Sequence, residues 1–383
     1  MNAALIVLAI VAFEPSLSPP GDASEKPSSA AVVDLREARA VWCHSPLGAY
    51  PGDWPRSMEA LAAAGFNMIM PNMLWAGCAH YASDNLPRSA IEKKYGDQIE
   101  QCLKAAKRHG IEVHVWKVNY NLEGAPKSFV EKLRGEGRLQ LSADGRVRQW
   151  LCPSHPKNVK LELRSLLEVA RKYDVDGLHL DYIRYPGSDY CYCDGCRERF
   201  EEYSGMKVSD WPADCRRGDQ SEAYNDWRCR QITRLVALLH AGGKHIRPEL
   251  KISAAVFGAY PDCRKSMAQD WGRWVESGYL DFVCPMNYTE NDPYFAFLVK
   301  KQLKMIDGRI PCYPGIGATA YQAKLSPDRV FAQIQKVRQL GADGFTIFEF
   351  NRKTATTHIP QLGEMLGGSP QPGIRRAQPQ GAR

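Results

Sequence analysis

The feature that most constrains this chain is an alternation. After residue 30, eight short apolar runs at 40–43, 67–71, 112–118, 177–181, 251–257, 282–286, 310–315 and 344–350 are separated by amphipathic stretches. Runs this short and this continuously apolar read as strands buried on both faces. The stretches between them carry helical spacing. Residues 54–64 place Met58, Leu61 and Ala62 on one face and stop at Gly65, and 97–109 stop at Gly110. Residues 154–173 open on Ser154 as a cap and carry Val159, Leu163, Leu166, Leu167 and Ala170, while 327–340 stop at Gly341. Ser caps and Gly stops are ordinary helix punctuation. Eight strands alternating with helices predict one closed parallel (β/α)8, or TIM, barrel over residues 31–366, and a chain of 383 residues suits a fold that needs ~250 plus loop insertions. The longest insertions, 119–150 and 182–222, follow the third and fourth strands and so belong on the catalytic face.

The two ends read differently. Residues 3–13 are an unbroken apolar run, followed by Pro15, Pro19, Pro20 and Gly21. The run is too short to span a bilayer and matches the core of a signal peptide, although no Lys or Arg precedes it. Cleavage after Ala30 and export to the periplasm or exterior are therefore expected for residues 1–30. No other run reaches the ~18 apolar residues of a membrane helix. Residues 367–383 are rich in Gly, Pro, Gln and Arg and are expected to be disordered. The net charge of +7 includes Arg375, Arg376 and Arg383 in that tail and contains no basic run, which argues for a solvated surface rather than nucleic-acid binding.

Chemistry concentrates in DVDGLHLDYIRYP, residues 174–186. A strand ending at Asp181 would carry that carboxylate into the catalytic mouth, beside Tyr182, Arg184 and Tyr185. Glycoside cleavage needs a carboxylate there, with aromatic faces for sugar rings. The competing reading is a loop cap or an ion pair with Arg184. Asp176 reads as support for the strand entrance.

Four segments in order, WLCPSHP (150–156), DVDGLHLDYIRYP, QDW (269–271) and DFVCPMNYT (281–289), resemble the glycosyl hydrolase-like 10 family, over about residues 36 to 360. The resemblance implies an exported carbohydrate-active barrel whose strand-4 Asp is catalytic, acting on bacterial cell-wall glycans or other polysaccharides. Cys152 stands where the family commonly has Asn. The same segment is similar to a chitinase signature, but the positions of its middle Asp and its proton-donating Glu hold His179 and Ile183. That mechanism is therefore excluded. The seventh run, IPCYPGIG, carries no acid, so glutamates on strands 4 and 7 are excluded as well.

A partner carboxylate is still required. Asp270, Glu290 and Glu349 follow the fifth, sixth and eighth strands. Asp270 reads equally as acid/base or as a helix cap before Trp271, and Glu349 equally as acid/base or as half of a buried ion pair. Other strand ends supply candidate substrate contacts: Trp42 and His44, Asn72 and Trp75, Trp116, Lys117 and Asn119, His179, and Asn287 and Tyr288, with Glu290 beyond them. No cofactor is expected for catalysis.

Twelve cysteines are present, and Cys191, Cys193 and Cys196 fall within six residues. C-x-C-x2-C wraps a tetrahedral zinc more readily than it finds three disulfide partners, whereas export favours disulfides. Structural zinc, disulfides and free thiols all stay open. The segment is similar to the cysteine cluster of certain β-galactosidases that carry a structural zinc. Cys78 and Cys152 are candidates for a fourth ligand. Two rival functions remain: a non-catalytic carbohydrate-binding barrel, which would lack the second acid, and a polysaccharide deacetylase, which would need a His/Asp metal site. His44, His114, His155 and His179 show no local pairing for the latter.

Overall fold

A computed structural model describes residues 37–367. The segment read as an export signal and all of the C-terminal tail except Gly367 lie outside the described residues. Eight parallel strands form a closed ring: strand 1 (Ala38–Cys43), strand 2 (Met68–Trp75), strand 3 (Glu112–Val118), strand 4 (Gly177–Asp181), strand 5 (Lys251–Phe257), strand 6 (Phe282–Met286), strand 7 (Gly315–Gly317) and strand 8 (Gly344–Phe348). Strand 1 pairs with both strand 8 and strand 2, which closes the barrel. The helices around it pack their buried faces on the outside of the ring. Inside, Ala40, Trp42, Met68, Met70, Trp116, Val118, Ala255, Phe282 and Cys284 form a second, smaller core. Among the described residues no helix is long and apolar enough to cross a membrane.

Strands 3, 4, 5 and 6 match the apolar runs residue for residue. Strand 7 does not: the strand proper is Gly315–Gly317, overlapping the expected 310–315 only at Gly315, and Cys312 ahead of it forms an isolated parallel bridge to Val283. Pro311 and Pro314 lack the N–H that a continuous ladder needs, so the run meets its neighbours through separate bonds, Val283 N–H to Pro311 O at 3.1 Å, Tyr313 N–H to Val283 O at 2.9 Å and Thr346 N–H to Pro314 O at 3.1 Å. The helix at Pro156–Lys172 is capped by His155, which accepts the Lys157 N–H, and not by Ser154.

The lower rim is stitched by a repeated device. The residue just before each even strand accepts a backbone N–H from the segment preceding it: Asn67 from Arg39 at 2.9 Å, Asp176 from Val113 at 2.7 Å, Asp281 from Ile252 at 2.7 Å and Asp343 from Cys312 at 3.1 Å. Asp176 thus supports the strand entrance, as expected. Gly177 is required beside it, because a Cβ there would sit 2.2 Å from His114 Nδ1 and 2.7 Å from Lys251 O.

The two long insertions fold on the opposite rim. The loop after strand 3 holds a helix (Lys127–Gly135) and a hairpin (Leu139–Leu141 with Val147–Leu151), and the loop after strand 4 holds helices Asp194–Ser204 and Ala213–Arg216.

Candidate active site

Alternation along the strands decides which side chains enter the barrel. On strand 4, His179 and Asp181 point inward, one layer apart. His179 is fully buried. Its Nε2 lies 2.9 Å from Trp42 Nε1 and its Nδ1 lies 2.9 Å from Ser253 Oγ. An indole only donates, so Nε2 accepts, the proton sits on Nδ1, and Ser253 Oγ accepts it. Burial holds the ring well below the usual histidine range, hence neutral. His179 is therefore a strut beneath the mouth that fixes Trp42.

Asp181 lies above it, only 6% exposed. Tyr182 follows at φ +53°, a left-handed turn that folds its own N–H back onto Asp181 Oδ1 at 2.6 Å. Arg184 Nη1 stands 3.7 Å from the same oxygen. Burial raises the Asp181 carboxyl above the usual range, and Arg184, the Tyr182 N–H and His44 offset this only in part. The guanidinium of Arg184 stacks on Tyr182 (4.2 Å) and Phe257 (4.7 Å), so it is held as rigidly as the acid it faces.

Asp181 lies in the wall of a cavity of about 490 Å³. Two aromatic groups flank it. Trp42, Tyr288 and Phe348 meet at centroid distances of 5.4 to 6.2 Å. Opposite them, His44 lies edge-on to Trp75 at 4.6 Å and to Trp116 at 5.7 Å, and Trp75 contacts Tyr182 at 6.5 Å. Such walls suit sugar rings, whose faces are apolar and whose edges are polar.

Of the sequence-predicted contacts, Trp42, His44, Trp75, Trp116, Asp181, Tyr182, Arg184, Asn287 and Tyr288 line this cavity. Asn287 is locked in place by a reciprocal amide pair with Gln302, at 2.7 and 3.0 Å. The others stand back from it. Asn119 is buried and donates to Glu162 at 2.6 Å, and Glu162 also lies 3.4 Å from the buried Lys117. Tyr185 is buried under the guanidinium of Arg228 at 4.4 Å. Asn72 is buried with both side-chain polar atoms unpartnered inside the protein. Glu290 is at the surface, where it accepts the Lys324 N–H.

The partner-acid candidates are placed unequally. Asp270 occupies the position before the helix Trp271–Glu276 without capping it through its side chain. Its oxygens instead take the Tyr260 hydroxyl at 2.8 Å and Arg264 Nε at 3.1 Å, outside the cavity lining. Glu349 closes strand 8 beside the mouth. It accepts the His44 N–H at 3.2 Å and the Asn351 amide at 3.3 Å, so it is not half of a buried ion pair. Ionisation of Tyr288 is opposed by burial and then by the charges of Asp181 and Glu349, so its phenol lies within electrostatic reach of both acids. Asp181 is the carboxylate that lines the cavity itself.

Sequence reasoning missed Phe257, Met286, Thr289, Tyr294, Tyr321 and Gln322, which also line the cavity, as do Phe348 and several small residues. Tyr294 and Tyr321 sit at its outer rim, and Tyr321 is 94% exposed. They arrive from a helix and a loop that carry no strand-end signal.

The thiols also converge selectively. Cys191, Cys193 and Cys196 gather with Cys152. Cys78 does not join them, because Gly77 at φ +70° turns it back into a short antiparallel pairing with Trp75. All twelve cysteines are free in this structure. Among the described residues no His/Asp group converges as a deacetylase would need.

The profile of the glycosyl hydrolase-like 10 family matches residues 38–319. The chain belongs to that family. Two curated relatives of similar sequence are Escherichia coli (strain K12) glycosyl hydrolase DigH, 24% identical over 262 residues, and Bacillus subtilis (strain 168) glycosyl hydrolase YngK, 21% identical over 383 aligned residues. The first match covers 60% of this chain and 56% of the relative, and the second 83% and 69%. The chain thus spans little more than half the length of the E. coli relative. Among solved structures, the PgaB (BpsB) glycoside hydrolase domain from Bordetella bronchiseptica superposes with a TM-score of 0.70 at 12% identity, covering 87% of this chain and 99% of that one. A β-galactosidase from Bacillus circulans sp. alkalophilus gives 0.65 at 14%, covering 86% and 55%. At these identities the likeness shows the fold alone: this family member has a glycoside hydrolase barrel.

Proposed function

We propose that this glycosyl hydrolase-like 10 protein cleaves O-glycosidic bonds in a polysaccharide or cell-wall glycan, with Asp181 as the central carboxylate. One observation carries the reading. Asp181 is a buried acid at the end of strand 4, between two aromatic walls, and its burial outweighs the nearby cations. A carboxyl so placed keeps its proton at a higher pH than a free Asp does, which suits protonation of the departing glycosidic oxygen. Glu349, just past the end of strand 8, is our choice for the second carboxylate. The His44 N–H and the Asn351 amide donate to its carboxyl and fix its orientation beside the mouth, as a base or nucleophile requires. Arg184 tunes Asp181, His179 fixes Trp42, and the aromatic walls position the ring.

The test is release of new reducing ends from a panel of cell-wall glycan strands and of neutral and amino-sugar polysaccharides. Asp181→Asn should retain its fold and lose about 10²–10⁴-fold in kcat. Undiminished turnover in that variant would remove Asp181 from the mechanism. A second reading, a carbohydrate-binding barrel without catalysis, rests on the observation that among the described residues Asp181 is the sole carboxylate lining the cavity. It predicts glycan binding by calorimetry and no cleavage in the wild type.

A further inference from the structure

We infer that Cys152, Cys191, Cys193 and Cys196 hold one zinc ion, which clamps the two long loops into the wall of the cleft. All four side chains are buried, and their Sγ atoms lie within 4.8 Å of one another. The separation between Cys152 and Cys196 is 3.4 Å. A disulfide would draw two sulfurs to ~2.05 Å. Four thiolates at ~2.3 Å from a tetrahedral zinc stand ~3.8 Å apart, and the cluster is of that size. Sulfur alone surrounds the centre, which selects zinc over magnesium or calcium.

The backbone presents these thiols as a metal knuckle would. Cys193 is the residue before the helix Asp194–Ser204, and its carbonyl accepts the N–H groups of Cys196 at 2.8 Å and Arg197 at 3.2 Å. This tight turn brings Cys193 and Cys196 to one point. Cys191 arrives from the preceding loop, and Cys152 from the end of the hairpin strand Val147–Leu151. A surrounding shell is also built. The Leu141 N–H donates to Cys191 Sγ at 3.4 Å. Ser154 Oγ lies 3.2 Å from both Cys152 Sγ and Cys196 Sγ. Arg199 donates to that oxygen from Nε at 3.1 Å and Nη2 at 3.0 Å. Zinc with four thiolates carries two net negative charges, and Arg199 lies against them. On binding, the four thiol protons pass to solvent.

The consequence for the cleft is positional. Trp150, two residues before Cys152, packs its ring 5.6 Å from that of Tyr182, which lines the cavity beside Asp181. Metal at the thiols would pin the hairpin of the third loop to the first helix of the fourth, and with them the Trp150–Tyr182 contact. It would touch neither the substrate nor Asp181.

Elemental analysis of the full chain, expressed with zinc and purified without chelator, should find about one zinc per protein. A mercurial thiol reagent should release it, and stripping should lower the thermal midpoint by roughly 5 °C or more. Cys196→Ser should hold well under half an equivalent, whereas Cys229→Ser, a buried cysteine elsewhere, should keep one. Where Cys196→Ser fails to fold, the stripped wild type given cobalt should develop a thiolate charge-transfer band at one equivalent. Protein that after full reduction takes up neither zinc nor cobalt overturns the assignment. So does iron in place of zinc, or peptide mapping that finds these four cysteines paired in disulfides. None of these readouts depends on glycan cleavage.

Discussion

Arg184 offers the sharpest handle on the mechanism. Its Nη1 lies 3.7 Å from Asp181 Oδ1, and the two side chains are 11% and 8% exposed. Unit charges at that separation attract by about 4–5 kcal/mol at an effective dielectric near ~20. Water in the cavity screens part of this, and if only about 1.4 kcal/mol survives, the ionisation constant of the acid still changes about tenfold. Arg184→Met keeps a long apolar stem against Tyr182 and Phe257 and removes the charge. Deprotonated Asp181 then loses its main cationic partner, so its proton is held to higher pH. If Asp181 is the proton donor, activity falls as pH rises through its ionisation, and this basic limb of kcat/KM should move up in Arg184→Met and stay in place in Arg184→Lys. The fold should respond with a matching sign. A carboxyl raised above its unfolded value contributes stability that is present below the unfolded pKa of ~3.9 and lost as pH rises through the folded value. Thermal midpoints of Arg184→Met should therefore fall more steeply than wild type between acid and neutral pH. A basic limb that stays put or moves down in Arg184→Met would refute the assignment of that limb to Asp181.

Three further outcomes are expected. Glu349→Gln should lower kcat by about 100-fold or more and Asp270→Asn by less than about threefold, measured on the same glycan; the reverse order would pass the second role to Asp270 despite its engagement with Tyr260 and Arg264. Tyr321→Ala should raise KM for long glycans several-fold with kcat unchanged and leave short oligosaccharides unaffected, because the ring stands at the outer rim, and equal effects on both lengths would place it next to the cleaved bond. Asp176→Ala should cost about 1–3 kcal/mol in urea unfolding by orphaning the Val113 N–H, with a cost near zero showing that water replaces the carboxylate.

How much of this was legible follows from what kind of force acts at each residue. Strands 3 to 6 could be read from sequence because a strand covered on both faces is mostly apolar, and the polar residues within those runs fall singly and do not break the pattern. The bounds of strand 7 could not, since apolarity reports burial whereas an unbroken ladder needs N–H groups, which Pro311 and Pro314 do not have, so only separate bonds precede Gly315. Trp42, His44, Trp116 and Asp181 were legible as mouth residues because a strand end in a barrel has one direction to face. Asp270 followed the same logic and ended elsewhere. Its partners, Tyr260 and Arg264, lie on the turn and short helix just ahead of it, and their pull on the carboxylate leaves no mark in a spacing pattern. Tyr294 and Tyr321 were invisible for a related reason, as their approach to the cavity depends on how a helix and a loop pack. Cys152 was offered as one of two possible fourth thiols, and only the return of the hairpin after strand 3 separates it from Cys78.

The electrostatic character of Asp181 depends on the layer beneath it as well as on its neighbours in the mouth. A protonated imidazole one layer below on the same strand would hold the carboxylate ionised and leave no proton to donate. His179 stands at that position, and three features keep it neutral: burial from all sides, an indole N–H filling Nε2, and a serine oxygen accepting from Nδ1. Further below, the Glu112 carboxylate accepts from Lys251 Nζ at 2.8 Å, so those two charges offset each other, and His114 Nε2 lies 3.1 Å from the same carboxylate. Among charged groups, Arg184 in the mouth exerts the largest pull on Asp181. Such an arrangement makes the acid's proton affinity a property of groups that a bound glycan itself can cover. Substrate that displaces water from around Arg184 would strengthen its pull on Asp181, while substrate that buries the carboxyl further would oppose that pull. Comparing the basic limb of kcat with that of kcat/KM separates the two effects, because the first reports the acid with glycan bound and the second reports it free.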